Sequence, residues 1–324
     1  MPGMGAELSP LSWSTFFGTW RLEAGWLEAA ILLLASYVLA RRAARADSSV
    51  RAWRVGCWIA GVVLMWACVA SAIGTYAMSV FWMHMVLHLL LIMVVPLLLV
   101  LGHPLTVLVE ALPGTGRARA MRVLRSWPVT VLTHPATGVL LYTGVIIGTH
   151  LTGFMDQMAR HSALMTAEQV LYVIAGYLFL LPLIGEEPTR PDPPYLLRIV
   201  LLVVAMVPDT IVGIVLLQTN TVPFPVMMAS HPSWAPDPLR DVHTAGGLMW
   251  AAGDGLMMAI GVGLMISVIT SPRRRARMTG AWIEGARRSA LASHTVDGAE
   301  IADTDSDEAL EAYNRMLARL REHG

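Results

Sequence analysis

Two histidines, His84 and His88, stand four residues apart in an apolar run that reads Val80-Phe-Trp-Met-His84-Met-Val-Leu-His88 and continues to Leu101. On a helix this spacing puts both imidazoles on one face, about 40° apart, which lets two side chains ligate one metal ion. His88 falls about 12 Å from the start of the run at 1.5 Å per residue. An ionisable side chain at that depth faces a bundle interior or a wet cavity. Three chemistries fit the pair: a metal site, axial ligation of haem, or hydrogen-bonded core histidines.

Other groups able to join them recur along the chain. His150 closes a later apolar run, His161 lies in the connection after it, and His243 opens the last run just after Asp241, with His231 in the loop before. His103 and His134 each precede a proline and read as turn residues, while His294 and His323 are in the tail. Met78, Met83, Met85, Met155, Met158, Met165, Met227, Met228 and Met249 fall toward the same ends of their runs as the first group of histidines. Thioether with imidazole favours Cu(I), although methionine also fills gaps in apolar cores. Glu168, near the start of the fifth run, suits second-rank support of a histidine ligand. Asp209, after Pro208, and Asp254 read as polar contacts within helices, because no regular ladder of acids and histidines runs through the apolar segments. No nucleophile–base pair and no phosphate-binding loop is visible, so catalytic turnover is not expected.

The elements that must position these residues are membrane spans. Over 324 residues the chain is 55% hydrophobic and 14% charged, with a mean hydropathy of +0.58. A soluble domain would be nearer a quarter charged. The net charge is zero and gives no basic surface for nucleic acid. Cys57 and Cys68, eleven apart on one expected helix, are too far apart to bridge. Seven runs reach or approach spanning length, at about 26–40, 55–73, 80–101, 128–149, 167–184, 196–217 and 244–269. The expected fold is therefore an all-α, polytopic bundle of about seven transmembrane helices.

Arginine placement orients that bundle. Arg41, Arg42, Arg45, Arg51 and Arg54 fill the first connection, and Arg117, Arg119, Arg122 and Arg125 the third. Arg190 and Arg198 flank the fifth, and Arg273, Arg274, Arg275 and Arg277 follow the last run, whereas the alternate connections hold at most one each. Positive residues gather on the cytoplasmic side, which predicts an outer N-terminal segment over 1–25, a transmembrane domain over 26–270 and a cytoplasmic tail over 271–324. Residues 111–127 read as a helix lying in the cytoplasmic interface. The tail carries an acidic stretch around Asp303–Glu308 and ends in an amphipathic pattern of Leu310, Tyr313, Leu317 and Leu320.

The stretch from His84 to Thr106, with Pro96, Gly102 and Pro104 at fixed places, resembles the seven-helix CtaG family of bacterial cytochrome c oxidase assembly factors. Further pieces fall in the same order: His150, Glu168 through Gly176 to Pro182 and Gly185, Asp241-Val-His243 through Gly246 to Trp250, and the terminal Ala312-Tyr-Asn-Arg-Met-Leu. The resemblance implies a multi-pass protein of the bacterial plasma membrane that matures a haem–copper oxidase, with oxidase subunits and membrane lipid as partners and copper as the metal held or delivered. On that reading His84, His88, His150 and His243 bind copper at the outer face, with His161, Met83 and Met85 as helpers. Family members often carry Glu-His where this chain has Glu168-Gln169, and Asp-Gln where it has Asp241-Val242, so its ligand set is expected to be rearranged. The other readings are a haem b electron carrier, which needs facing histidines at matching depth, and a small-ion transporter built on Asp209 and Asp254.

Overall fold

A computed structural model describes residues 8–44 and 48–270, with the single positions Gly280 and Asn314, and among them there is helix and no strand. Met1–Gly261 form one compact unit, and the site lies entirely within it. The expected terminal amphipathic helix, the acidic stretch and the arginines after the last run lie outside the described residues.

The first element, α1 (Trp13–Gly18), starts from a reciprocal cap: Thr15 N–H donates to Ser12 Oγ, and Ser12 N–H donates to Thr15 Oγ1. α2 (Ala24–Ala43) carries Arg41 and Arg42 in its last turn, where cations complement the carbonyl end of the helix dipole. α3 (Ala52–Ala70) and α4 (Ala72–Tyr76) are separated at Ser71, whose hydroxyl caps the second piece by accepting from Ile73 N–H. Then follow α5 (Phe81–Leu89), a π-helical turn over Leu90–Val94, and α6 (Val95–Leu101). Pro96 has no N–H to give the Ile92 carbonyl four residues earlier, so regular α hydrogen bonding cannot pass this point, and the wider turn sits there.

His103 adopts a left-handed conformation (φ 52°) between α6 and α7 (Pro104–Ala111). α8 (Gly114–Leu124), in the stretch expected to lie at the membrane interface, has no buried residue, and α9 (Trp127–Leu132) follows. Residues 128–149 were expected as one unbroken run. The chain instead breaks at Thr133–His134, because the residue before Pro135 is pushed out of the α region (His134 φ −68°, ψ 137°). α10 (Pro135–His150) therefore starts late, and α11 (Phe154–Arg160) departs from it at 72°. α12 (Ser162–Ile184), α13 (Tyr195–Gln218), a 3₁₀ turn at Met227–Ser230 and α14 (Pro238–Thr270) complete the described chain. Six helices are long and apolar enough to cross a membrane, or seven if the bent pair α10–α11 counts as one span. The run Phe81–Ala111 contains the most apolar 18-residue stretch, at a mean hydropathy of 2.8.

At the arginine-rich end, buried charge is met by specific partners. Arg198 donates to the carbonyls of Pro193 and Leu183, each at 2.9 Å, and to Asp192 Oδ1 at 2.6 Å. Arg54 reaches the His103 ring and lies 3.5 Å from Glu186. Glu187, whose carboxyl burial pushes upward in pKa, accepts from Leu105 and Thr106 N–H and from the Thr106 hydroxyl, capping α7 from a distant loop.

Candidate metal centre

α5 and α12 run side by side in the same direction, and a constant offset of 84 residues relates them. His84 matches Glu168, His88 matches Tyr172, and Ile92 matches Gly176, each series spaced i, i+4, i+8. The fit is tightest at the last pair: a Cβ on Gly176 would lie 1.9 Å from the Ile92 carbonyl oxygen and 2.8 Å from Pro96 Cγ. Only glycine permits that approach, and the π turn with Pro96 supplies the carbonyl that occupies it. One turn away, the His88 and Tyr172 rings stack with centroids 4.1 Å apart. The next turn brings Glu168 to the histidine pair.

His84, His88 and Glu168 are all buried, and one ligand atom from each lies within 4.8 Å of the others. A tetrahedral ion with bonds of about 2.0–2.1 Å holds its ligand atoms about 3.3 Å apart, so closure needs only small side-chain rotations. Both ring nitrogens of His84, Nε2 of His88 and both oxygens of Glu168 have no hydrogen-bond partner. Buried polar atoms are rarely left so.

The hydrogen bonds around His150 explain which atom of His88 is available. His150 Nδ1 lies 2.9 Å from the Ile146 carbonyl, which can only accept, so that nitrogen carries the proton. His150 Nε2 is then a lone pair, and at 3.3 Å it accepts from His88 Nδ1–H. His88 Nε2 is therefore also a lone pair, and it faces Glu168 Oε2 at 3.5 Å. Two acceptors facing each other in an apolar interior require a proton or a metal cation between them. The separation is long for a proton-bridged contact, and the unpartnered His84 sits beside the same point. The donor set fits a cation.

Thr149 and Tyr172 complete the surroundings. Their hydroxyls are 2.7 Å apart, and Thr149 Oγ1 is 3.0 Å from His150 Nδ1. Asp241 fixes the entry of α5: its carboxylate accepts from Phe81 N–H at 2.7 Å and Trp82 N–H at 2.9 Å, and His231 Nε2 lies 3.2 Å away. A carboxylate on the first free N–H groups of a helix satisfies donors that have no intrahelical partner and complements the dipole. It ties the start of α14 to the turn that carries His84.

Of the histidines singled out in the sequence, the structure brings together His84, His88 and His150. His150 has both nitrogens engaged and orients His88 instead of offering its own lone pair. His161 is exposed, with Nδ1 on the Gln157 carbonyl at 3.0 Å, and His243 donates from Nε2 to the Thr219 carbonyl at 2.9 Å. Neither reaches the group, since α14 directs Asp241, not His243, toward α5. Met83 packs with Ala72, Tyr76 and Val80 on another face of α5. Glu168, expected as outer support, supplies ligand-distance oxygens itself. Tyr172 and Thr149 were missed; Tyr172 sits four residues after Glu168, a spacing that marks a shared face. Asp209 accepts from the Tyr142 hydroxyl at 2.7 Å and Asp254 from Thr210 at 2.9 Å, polar contacts within the bundle as expected.

Six to seven apolar helices around a buried pair of imidazoles and a carboxylate define a multi-pass membrane protein with a candidate cation site. The model of the cytochrome c oxidase caa3 assembly factor family (Caa3_CtaG) matches residues 35–271, and the chain belongs to that family. It is 29% identical over 327 residues to an uncharacterized protein of Mycobacterium leprae (ML1998), covering 98% of this chain and 47% of the relative. Uncharacterized proteins of Mycobacterium bovis (Mb0105) and Mycobacterium tuberculosis (MT0111) are each 28% identical over 330 residues, with the same coverage. The chain thus spans about half the length of the curated relatives it matches. No solved structure gives a significant match.

Proposed function

We propose that this chain serves the maturation of a haem–copper oxidase by holding copper as cargo at the outer face of the bacterial plasma membrane. The observation that carries the reading is the facing pair of acceptors, His88 Nε2 and Glu168 Oε2, beside an unpartnered His84. Family membership supports the assembly role, and the arginine asymmetry argues that the end holding these histidines faces outward. Two imidazoles with a carboxylate suit Cu(II) better than Cu(I), because the hard oxygen replaces the thioethers that a cuprous site prefers. His84, His88 and Glu168 would hold the ion. His150 keeps the His88 lone pair pointed inward, Tyr172 fixes the ring plane by stacking, and Asp241 holds the turn above.

The test is the metal content and optical spectrum of the purified protein. About one equivalent of copper without a Soret band is expected, falling to background in a His84→Ala/His88→Ala double variant. A Soret band would replace this reading with haem ligation, and copper retained by the double variant would sink the assigned site. In cells lacking the protein, the oxidase should be depleted of copper; an unchanged oxidase copper content overturns the assembly role.

A further inference from the structure

The opposite end of the bundle carries a second feature, unrelated to the histidines. α8 exposes Arg122 along its length and ends at Arg125, while Arg190, in the connection between α12 and α13, comes to the same place. With Met121, Ser126 and Trp127 they line a shallow surface depression of about 590 Å³. Among the described residues, none of the three guanidinium groups has an ion-pair partner. Arg198, eight residues after Arg190, and Arg54 at the start of α3 do. Among the described residues, the depression is thus a cationic one without an ion-pair partner, with one hydroxyl and one indole in its wall.

Its setting indicates what neutralises it. The three arginines are exposed, and so are Val123, Trp127, Val131 and Leu132 on the same stretch of chain, Trp127 at 75%. A short stretch between two spans that exposes arginines on α8 and apolar side chains mainly on α9 suits the membrane–water boundary. Tryptophan prefers that level. There the abundant anion is the lipid phosphodiester, and each basic residue near an anionic surface adds to the attraction. Guanidinium groups also pair with phosphate oxygens in two-point contacts.

We infer that Arg122, Arg125, Arg190 and Ser126 form a binding site for the phosphate headgroup of an anionic phospholipid, with Trp127 seated at the acyl–headgroup boundary. The site anchors the connection that joins the α5–α7 run to α10.

Native mass spectrometry of the detergent-purified full chain, titrated separately with phosphatidylglycerol and phosphatidylcholine, tests this. The expected result is at least tenfold tighter retention of phosphatidylglycerol, weakened by added salt and reduced to the phosphatidylcholine level in an Arg122→Gln/Arg125→Gln/Arg190→Gln variant. The substitutions are on exposed residues, so thermal stability in detergent should not change. A triple variant that keeps its preference for phosphatidylglycerol overturns the site. Displacement of the lipid by millimolar inorganic phosphate assigns the pocket to a free anion and overturns the lipid reading. The acidic stretch Asp303–Glu308 supplies the other arm: if phosphatidylglycerol is retained selectively only once those carboxylates are neutralised, the pocket belongs to the chain's own tail.

Discussion

Glu168 and Arg198 are both nearly inaccessible, at 1% and 7%, and they are treated in opposite ways. Arg198 has two carbonyls and a carboxylate placed around it within 3 Å. Glu168 has no hydrogen bond, and the nearest histidine nitrogen presents a lone pair to it. Burying an unpaired charge costs several kcal/mol, so a fold that satisfies one such group and leaves the other open is holding capacity in reserve for something else. Structural charge is closed by its own chain. The proposed metal site accounts for the one left open.

Four substitutions can break or sharpen that contrast. The largest effect is expected from Glu168→Gln, which keeps the shape and removes the anionic donor. Copper affinity should fall by more than the roughly 100-fold that loss of an outer partner costs, while the metal-free protein becomes no less stable, because an uncompensated carboxylate has been removed. Isothermal titration and thermal unfolding in detergent measure the two halves, and a destabilised, still metal-binding variant would assign Glu168 to structure. His150→Ala should weaken copper by about 10–100-fold, the usual range for a group that orients a ligand; affinity within twofold of the parent would remove the tautomer relay.

Arg198→Ala should do the reverse of Glu168→Gln. Leaving buried carbonyls without a donor costs about 1–3 kcal/mol of stability, with copper affinity within twofold, and a matched loss of both would show that the two ends are coupled. The smallest effect belongs to His161→Ala, whose ring is exposed and bonded only to Gln157. Copper affinity is expected to be unchanged there, and a tenfold loss would mean that the site extends into the α10–α12 connection.

Much of the fold was readable because the bilayer imposes a simple rule: every spanning segment must be apolar and about twenty residues long. Runs such as 80–101 and 196–217 follow that rule closely. It was less informative at 128–149, where Thr133-His134-Pro135 carries enough apolar neighbours to hide a break that depends on one residue's backbone preference. The helix face shared by His84 and His88 was equally plain, since i and i+4 neighbours are set by helix geometry alone. Histidine-counting by level also placed His161 and His243 with them, whereas the fold sets those rings against the Gln157 and Thr219 carbonyls. Depth along a helix is legible from residue number, but direction around its axis relative to another helix is not.

What the sequence by itself determined is the set of apolar runs, the pairing of His84 with His88, and the family to which both belong. Each depends on local periodicity or on order along one segment. What only the tertiary structure decided is which helix stands opposite them. The 84-residue offset that sets Glu168 beside His84 and Tyr172 on His88 is fixed by Gly176 admitting the Ile92 carbonyl. That contact lies between residues far apart in the chain, and nothing in either segment alone specifies the other. Family order placed Glu168 near the site. Packing brought its carboxylate within 4.8 Å of the two histidines.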